Sequence, residues 1–362
     1  MPFSVAIALS GGIDSLVSAA LLKDQKHRLI ALHFLTGYEA ADAGRPAEPV
    51  QADRFAALKA RTRAKLQPLA DKLDIPLYII DLRTEFQRRV VNYFVSAYQT
   101  GRTPNPCLIC NPMIKFNILL ERARNLGAAY IATGHYARIE SAANGRRRLL
   151  RGLDRAKEQS YFLARLSQAQ LKQAILPLGG MTKQQTRQIA RQKGLAPAAA
   201  QESQDVCFIK NMTYESFLTH QPGFHSQPGP IVNHIGQEIG RHQGLHRFTI
   251  GQRRGINCPA AEPYYVLRID PANNRLVVGF REDLFSDGCE VDQINWISAP
   301  PRAPIKVYTR IRYRHEAVAS TLTPLGVDKA YVRFDAPEAA VTPGQGAVFY
   351  QSDEVLGGGW IQ

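Results

Sequence analysis

Short apolar runs alternate with amphipathic stretches over the first 200 or so residues. Phe3 to Leu9 is rich in Val, Ile and Ala and has the length of a buried strand. Leu16 to Leu22 then presents an apolar helix face. Strands are predicted at Val5–Leu9, Leu29–Phe34, Leu77–Asp81 and Ala128–Thr133. A helix among them carries Phe55, Leu58, Leu66, Leu69 and Leu73 at helical spacing, although Pro68 argues against its continuity. Another runs from about Lys115 to Leu126 and stops at Gly127, a favoured residue just past a helix end. Thr182 and Gln185 have capping-box spacing, and the helix they open ends near Gly194. Strands alternating with helices predict an α/β fold on a doubly wound parallel sheet, with ligands at the carboxyl ends of the strands. Ala40 to Gln51, rich in Ala, Pro, Gly and charge, reads as a mobile loop.

Beyond about residue 225 the pattern changes. Pro and Gly recur between short β-branched or aromatic runs at Tyr264–Ile269, Arg275–Val278, Ile305–Tyr313, Ala330–Phe334 and Ala347–Tyr350. These predict small barrels or sandwiches, divided near 285–300 into a central and a C-terminal β module. Arg310, Arg312 and Arg314 alternate at strand spacing and so share one face, a basic stripe suited to RNA. Arg146 to Arg148 follow Asn144-Gly145 on a predicted hairpin, as either a solvated turn or a phosphate contact.

The turn after the first strand reads Ser10-Gly-Gly-Ile-Asp-Ser15. A strand-to-helix turn of this kind points unpaired N–H groups at whatever lies in front, and the helix dipole favours negative charge there. Two adjacent glycines let the backbone approach closely. Ser10 and Ser15 add hydroxyls, and Asp14 is placed to hold Mg²⁺ or to cap the helix. The lysine of a Walker A loop is missing, which argues against γ-phosphate transfer. The turn resembles the PP-loop of ATP pyrophosphatases, which split ATP to AMP and pyrophosphate while activating an oxygen as an adenylate.

With 362 residues, the chain suits two or three domains. It has no apolar stretch long enough to span a membrane and no signal-type N-terminus, so a cytoplasmic protein is expected. A net charge of +14 favours a nucleic-acid partner, whose phosphates Lys and Arg neutralise. Five cysteines are too few and too scattered for a disulfide framework. Cys107 and Cys110 stand in a Cys-x-x-Cys pair in a loop stiffened by Pro104, Pro106 and Pro112. Such a pair serves disulfide exchange, zinc or an iron–sulfur cluster. Cys207 is the evident third partner, while Cys258 and Cys289 read as ordinary thiols. Lys115, just beyond the pair, is placed to lower a thiol's pKa or to meet a phosphate.

One ordered set of motifs spans nearly the whole chain: Ser10–Ser15, Gly101–Pro106, Cys110-Asn111, Ile114–Phe116, Ala132–Tyr136, Leu150–Asp154, Gln159–Phe162, Ser203–Phe208, His242–Gly244, Ile250–Arg253, Arg312–Arg314 and Val341–Gln345. The chain resembles the bacterial tRNA-specific 2-thiouridylases (MnmA type). That resemblance implies an ATP-binding PP-loop domain over 1–215, a central β domain over 216–285 and a C-terminal β-barrel over 286–362. It implies ATP- and Mg²⁺-dependent thiolation of the wobble uridine of tRNA, with sulfur from an upstream donor. Ala8, Leu9, Ser10, Gly11, Gly12, Ile13, Asp14 and Ser15 would bind ATP, with Phe34 near the adenine and Gly134 against the nucleotide. Cys207 would carry the persulfide and Cys110 would complete release, with Asp14 also in the catalytic set. Asn105, Pro106, Cys107, His135, Lys157, Glu158, Gln159, Arg312, Tyr313 and Gln345 would meet the tRNA. Two positions depart from the family pattern: Cys107 stands where an Asp is proposed as acid/base, and Pro112 replaces a Lys. The extra thiol opens a second route, a [4Fe–4S] cluster on Cys107, Cys110 and Cys207, beside the cluster-free persulfide. Another PP-loop tRNA-modifying enzyme or an amidating ligase is the alternative, though neither would need Cys110 and Cys207 together with the Gly251-Gln-Arg253 module.

Overall fold

The computed structural model describes residues 3–39, 52–198 and 206–362. The predicted mobile loop, and residues 203–205 of the motif before Cys207, lie outside them. The chain forms two compact units. The first comprises residues 1–90, 107–212 and 353–356, and the second 91–106, 213–352 and 357–362.

In the first unit, β1 (Ser4–Ala8), β2 (Arg28–Leu35), β3 (Leu77–Asp81), β4 (Tyr130–Ala132) and β7 (Ala174–Ile175) form a parallel sheet in the order β3-β2-β1-β4-β7. The predicted doubly wound sheet is therefore present, with all four expected strands in it. The chain leaves β1 toward β2 and β3, then returns on the other side as β4. The carboxyl ends of β1 and β4 thus flank the switch point where such sheets bind ligands. Helix α1 (Ile13–Asp24) and α2 (Ala52–Lys72) cover the sheet, and Ile7, Leu9, Leu16, Val17, Leu66 and Leu73 share their core. Pro68 does not break α2; the helix runs through it. A hairpin of β5 (Ala137–Ser141) and β6 (Arg147–Arg151) turns at Asn144-Gly145 as expected, with Arg148 paired to Glu354 at 2.7 Å.

The second unit holds a four-stranded sheet and a barrel, except that residues 354–356 of the barrel's last strand belong to the first unit. β8 (Gly229–Val232), β9 (Glu238–His242), β10 (Tyr265–Asp270) and β11 (Arg275–Gly279) form the order β10-β11-β8-β9. β12 (Phe285–Trp296), β13 (Ile305–Arg310), β14 (Val318–Pro324), β15 (Ala330–Ala339), β16 (Gly346–Gln351) and β17 (Glu354–Ile361) form a six-stranded barrel, closed by pairing of β12 with β17. The basic stripe is corrected here. β13 ends at Arg310, and Arg312 to His315 form a turn. Arg310 clamps that turn, donating to the carbonyls of Tyr313 and His315, while Arg312 and Arg314 remain exposed. A side chain committed to two backbone carbonyls stops the strand where alternation alone would extend it.

Candidate active site

The Ser10–Ser15 turn closes on itself. Ser15 donates its hydroxyl to the Gly12 carbonyl at 2.8 Å and lies 3.2 Å from the Ser10 hydroxyl, which accepts from the Gly12 N–H at 3.3 Å. Gly11 has φ +82°, and a Cβ there would meet Leu66 at 2.8 Å. Gly134, just past β4, leans on the turn: its Cβ would stand 2.9 Å from the Asp14 main chain. These contacts give the loop a fixed shape with bare backbone at its mouth.

Asp14 does not cap α1. Its two carboxylate oxygens each lie 2.8 Å from the Lys183 ammonium, and Oδ1 accepts from the Tyr136 hydroxyl at 2.8 Å. Tyr136 lies 3.0 Å from the Thr186 hydroxyl. Lys183 opens the helix Lys183–Gln192, whose Thr182–Gln185 capping box forms as predicted. The turn thus has a neighbouring cation after all, delivered from far along the chain. Tyr136 stood inside a quoted motif, but Lys183 was missed. Its signal was a lysine at the first helical position beside a capping box.

The thiols sit at the start of a long helical run. Cys107–Cys110 forms one α turn, Asn111–Ile118 is a π-helix, and Leu119–Asn125 is α-helical to its end before Gly127. Pro112 explains the wide turn, since its ring clashes with the carbonyl four residues back. The i→i+5 pattern of a π-helix brings Lys115 back toward the side of Cys110. Phe208 is fully buried, edge-on to Phe86 at 5.5 Å, and anchors the chain beside Cys207.

Burial pushes the Cys107 thiol up to about 11 and that of Cys110 to about 12, with Lys115 opposing in both. Cys207 is also raised by desolvation, against Lys115 and Lys210. Its own surface is nevertheless exposed, so water offsets part of that desolvation and it is the most accessible thiol of the three. Each thiol thus feels Lys115, and Cys207 acts on both of the others. His135, bonded to the Thr133 hydroxyl at 2.7 Å, is held well below its ordinary pKa by burial and Lys115, and so stays neutral near pH 7. Among the described residues no group of three or more His, Cys, Asp or Glu side chains is arranged to hold a metal ion. The three thiols have the chemistry for a cluster but are not arranged as a formed ligand set. Asp14 is paired with Lys183 and belongs to no such group among the described residues.

Family models match the chain in three consecutive stretches: a tRNA methyl transferase HUP domain over residues 3–211, a tRNA methyl transferase PRC-barrel domain over 215–280 and an aminomethyltransferase beta-barrel domain over 286–361. The tRNA-specific 2-thiouridylase MnmA of Desulfosudis oleivorans is 50% identical over 99% of this chain and 94% of its own. That of Geotalea uraniireducens is 45% identical over the same shares. The chain belongs to the tRNA-specific 2-thiouridylase family. The residues expected from the sequence to meet tRNA stand in differing surroundings. Arg312 is exposed and Lys157 half-buried. Glu158 is buried and accepts from the Ser160 N–H, and Gln159 pairs with the Tyr136 backbone in both directions. Gln345 donates to the carbonyls of Thr103 and Pro104, at 3.0 and 3.3 Å. Asn105 is half-buried and Pro106 buried just beyond them. Tyr313 is half-buried under the Arg310 guanidinium, 5.3 Å from its ring centre, and Phe34 is half-buried at the end of β2. No helix among the described residues is long and apolar enough to cross a membrane.

Proposed function

We propose that this protein is a tRNA-uridine 2-sulfurtransferase that uses ATP to exchange the 2-oxygen of the wobble uridine for sulfur. The observation that carries this reading is a glycine turn at the sheet's switch point in the same compact unit as three cysteines sharing one lysine. The domain descriptions speak of methyl transfer, but that reaction needs neither a polyphosphate turn nor a trio of thiols.

A uracil carbonyl is a weak electrophile with a poor leaving group. Attack of its O2 on the α-phosphorus of ATP, taken as the Mg²⁺ complex, forms an O–P bond and breaks the bond to pyrophosphate. The N–H groups of the turn take up the departing charge. Sulfur arrives as a persulfide on Cys207, loaded by an upstream donor. Its outer sulfur bonds to C2 as AMP leaves with the oxygen. Cys110 then attacks Cys207 Sγ, and the S–S electron pair passes to the uridine sulfur. A Cys110–Cys207 disulfide remains, and an external thiol reduces it. Asn105, Cys107, His135, Lys157, Arg312 and Tyr313 are assigned to the tRNA, while Glu158, Gln159 and Gln345 act by holding the loops that present it. A neutral His135 positions by hydrogen bonding rather than by charge.

Incubation without oxygen with unmodified tRNA, ATP, Mg²⁺, a persulfide donor and a reducing thiol, followed by nucleoside mass spectrometry, tests the reading. 2-Thiouridine is expected, and is lost on Cys207→Ser. AMP and pyrophosphate without thiolated nucleoside would assign the adenylate to another modification. A [4Fe–4S] cluster on Cys107, Cys110 and Cys207 is the other sulfur route, motivated by the shared neighbourhood of the thiols. Iron analysis that finds none in anaerobically purified wild type and Cys107→Ser protein removes it.

A further inference from the structure

We infer that Lys183 is a positioning residue for nucleotide use: it holds the Asp14 carboxylate from behind and cancels its charge, so that the glycine turn accepts a polyphosphate. The inference rests on the reading that this turn takes ATP. Asp14 is the second residue of α1, where a lone carboxylate suits the helix dipole but would repel an incoming phosphate. The Lys183 side chain is only 8% exposed, and Nζ is 2.8 Å from each Asp14 oxygen, whereas the Asp14 side chain is 33% exposed. Lysine therefore lies on the buried side and the carboxylate keeps an open side. Tyr136 fixes the same carboxylate from a third direction, and is itself tied to Thr186 one turn along the lysine's helix. The main-chain N–H of Lys183 donates to Asp154 at 2.8 Å, which fixes the start of that helix. A carboxylate held by a buried ammonium and a tyrosine hydroxyl does not wander; its charge balance is a fixed property of the site.

The sign of each variant follows from charge. Lys183→Met leaves Asp14 unbalanced beside the turn, and is expected to weaken ATP binding by at least about tenfold. Because the penalty is repulsion, it grows with the number of phosphates, so AMP should lose less than about threefold. A general loss of structure would weaken both alike. Lys183→Arg is expected to recover most of the ATP binding. Asp14→Asn removes the repelling charge and should hold or tighten ATP binding while thiolation falls. Asp14→Asn/Lys183→Met buries no lone charge, so it carries the test if the single methionine variant does not fold; it should bind ATP within about threefold of wild type.

Calorimetric titration of the full chain with ATP and with AMP reads all of these. Lys183→Met binding ATP as wild type does, equal losses for AMP and ATP, or a double variant more than about tenfold weaker than wild type would each overturn the inference. Wild-type protein that binds no ATP would remove the reading of the site itself.

Discussion

The Ser10–Ser15 turn is shaped by hydrogen bonds among its own residues, whereas the thiol site is drawn from chain segments far apart in sequence and tuned by burial. The first has its donors in place at all times. The second holds two thiols that are neutral at ordinary pH, and neutral thiols are poor nucleophiles. The difference separates the two halves of the reaction. Nucleotide binding needs only a preformed cradle, which backbone geometry supplies. Sulfur chemistry needs a nucleophile that stays quiet until the substrate is there, because an always-ionised thiol beside a persulfide would oxidise without profit.

The largest expected effect lies in thiol reactivity. With a pKa of about 12, only about one Cys110 in 10⁴ is ionised at pH 8. Iodoacetamide at that pH should therefore alkylate the exposed Cys207 at least about a hundred times faster than Cys110, as read by peptide mass spectrometry. Equal rates would erase the contrast between a ready turn and quiet thiols. The same shift carries a stability consequence. Cys110 is raised from an ordinary 9.0, so its stabilising contribution is complete below pH 9 and is lost as pH rises toward about 12. The thermal midpoint should fall across that window, and less steeply in Cys110→Ala.

A smaller effect tests the turn by itself. Gly134→Ala places a Cβ 2.9 Å from the Asp14 backbone, where nothing can move aside cheaply. Overpacking of this kind costs about 1–3 kcal/mol. ATP binding should weaken while the alkylation rates of Cys110 and Cys207 stay as in wild type. If alkylation accelerates in this variant, the two regions are mechanically coupled and the comparison fails.

How far the sequence reveals each region follows from the same distinction. The sheet was legible because β1 to β4 are short apolar runs punctuated by turns, and the glycine turn was legible because its shape is local. The helix through Pro68 was legible from its apolar spacing, and burial of Leu66 and Leu73 outweighs the one helical hydrogen bond lost at Pro68 in α2. The arginine stripe misled because side-chain clamping by Arg310 is invisible to alternation. Lys183 stayed hidden because its partner, Asp14, lies far away in sequence, and no local pattern encodes a long-range ion pair. The thiol trio was guessed from residue type, but its pKa values depend on burial, which only the packed structure sets.

The smallest effect concerns Gln345, for which direct tRNA contact and loop support predict different outcomes. Its amide donates to the carbonyls of Thr103 and Pro104, in the loop that leads along the chain to Asn105 and Cys107. Gly344 beside it has φ +88°, and a Cβ there would meet the Thr103 oxygen at 3.0 Å, so the two strands of loop are closely fitted. Gln345→Ala removes both bonds and should lower stability by about 0.5–1.5 kcal/mol in urea unfolding. Gln345→Glu is nearly the same size but turns a donor into an acceptor that faces two carbonyl oxygens. It should therefore cost more than the alanine. A residue that served only to touch tRNA would leave both unfolding curves unmoved and would weaken tRNA binding more in the acidic variant, through repulsion from phosphate. The order of the two unfolding midpoints, glutamate below alanine below wild type, is thus the signature of a glutamine whose work is to hold the loop.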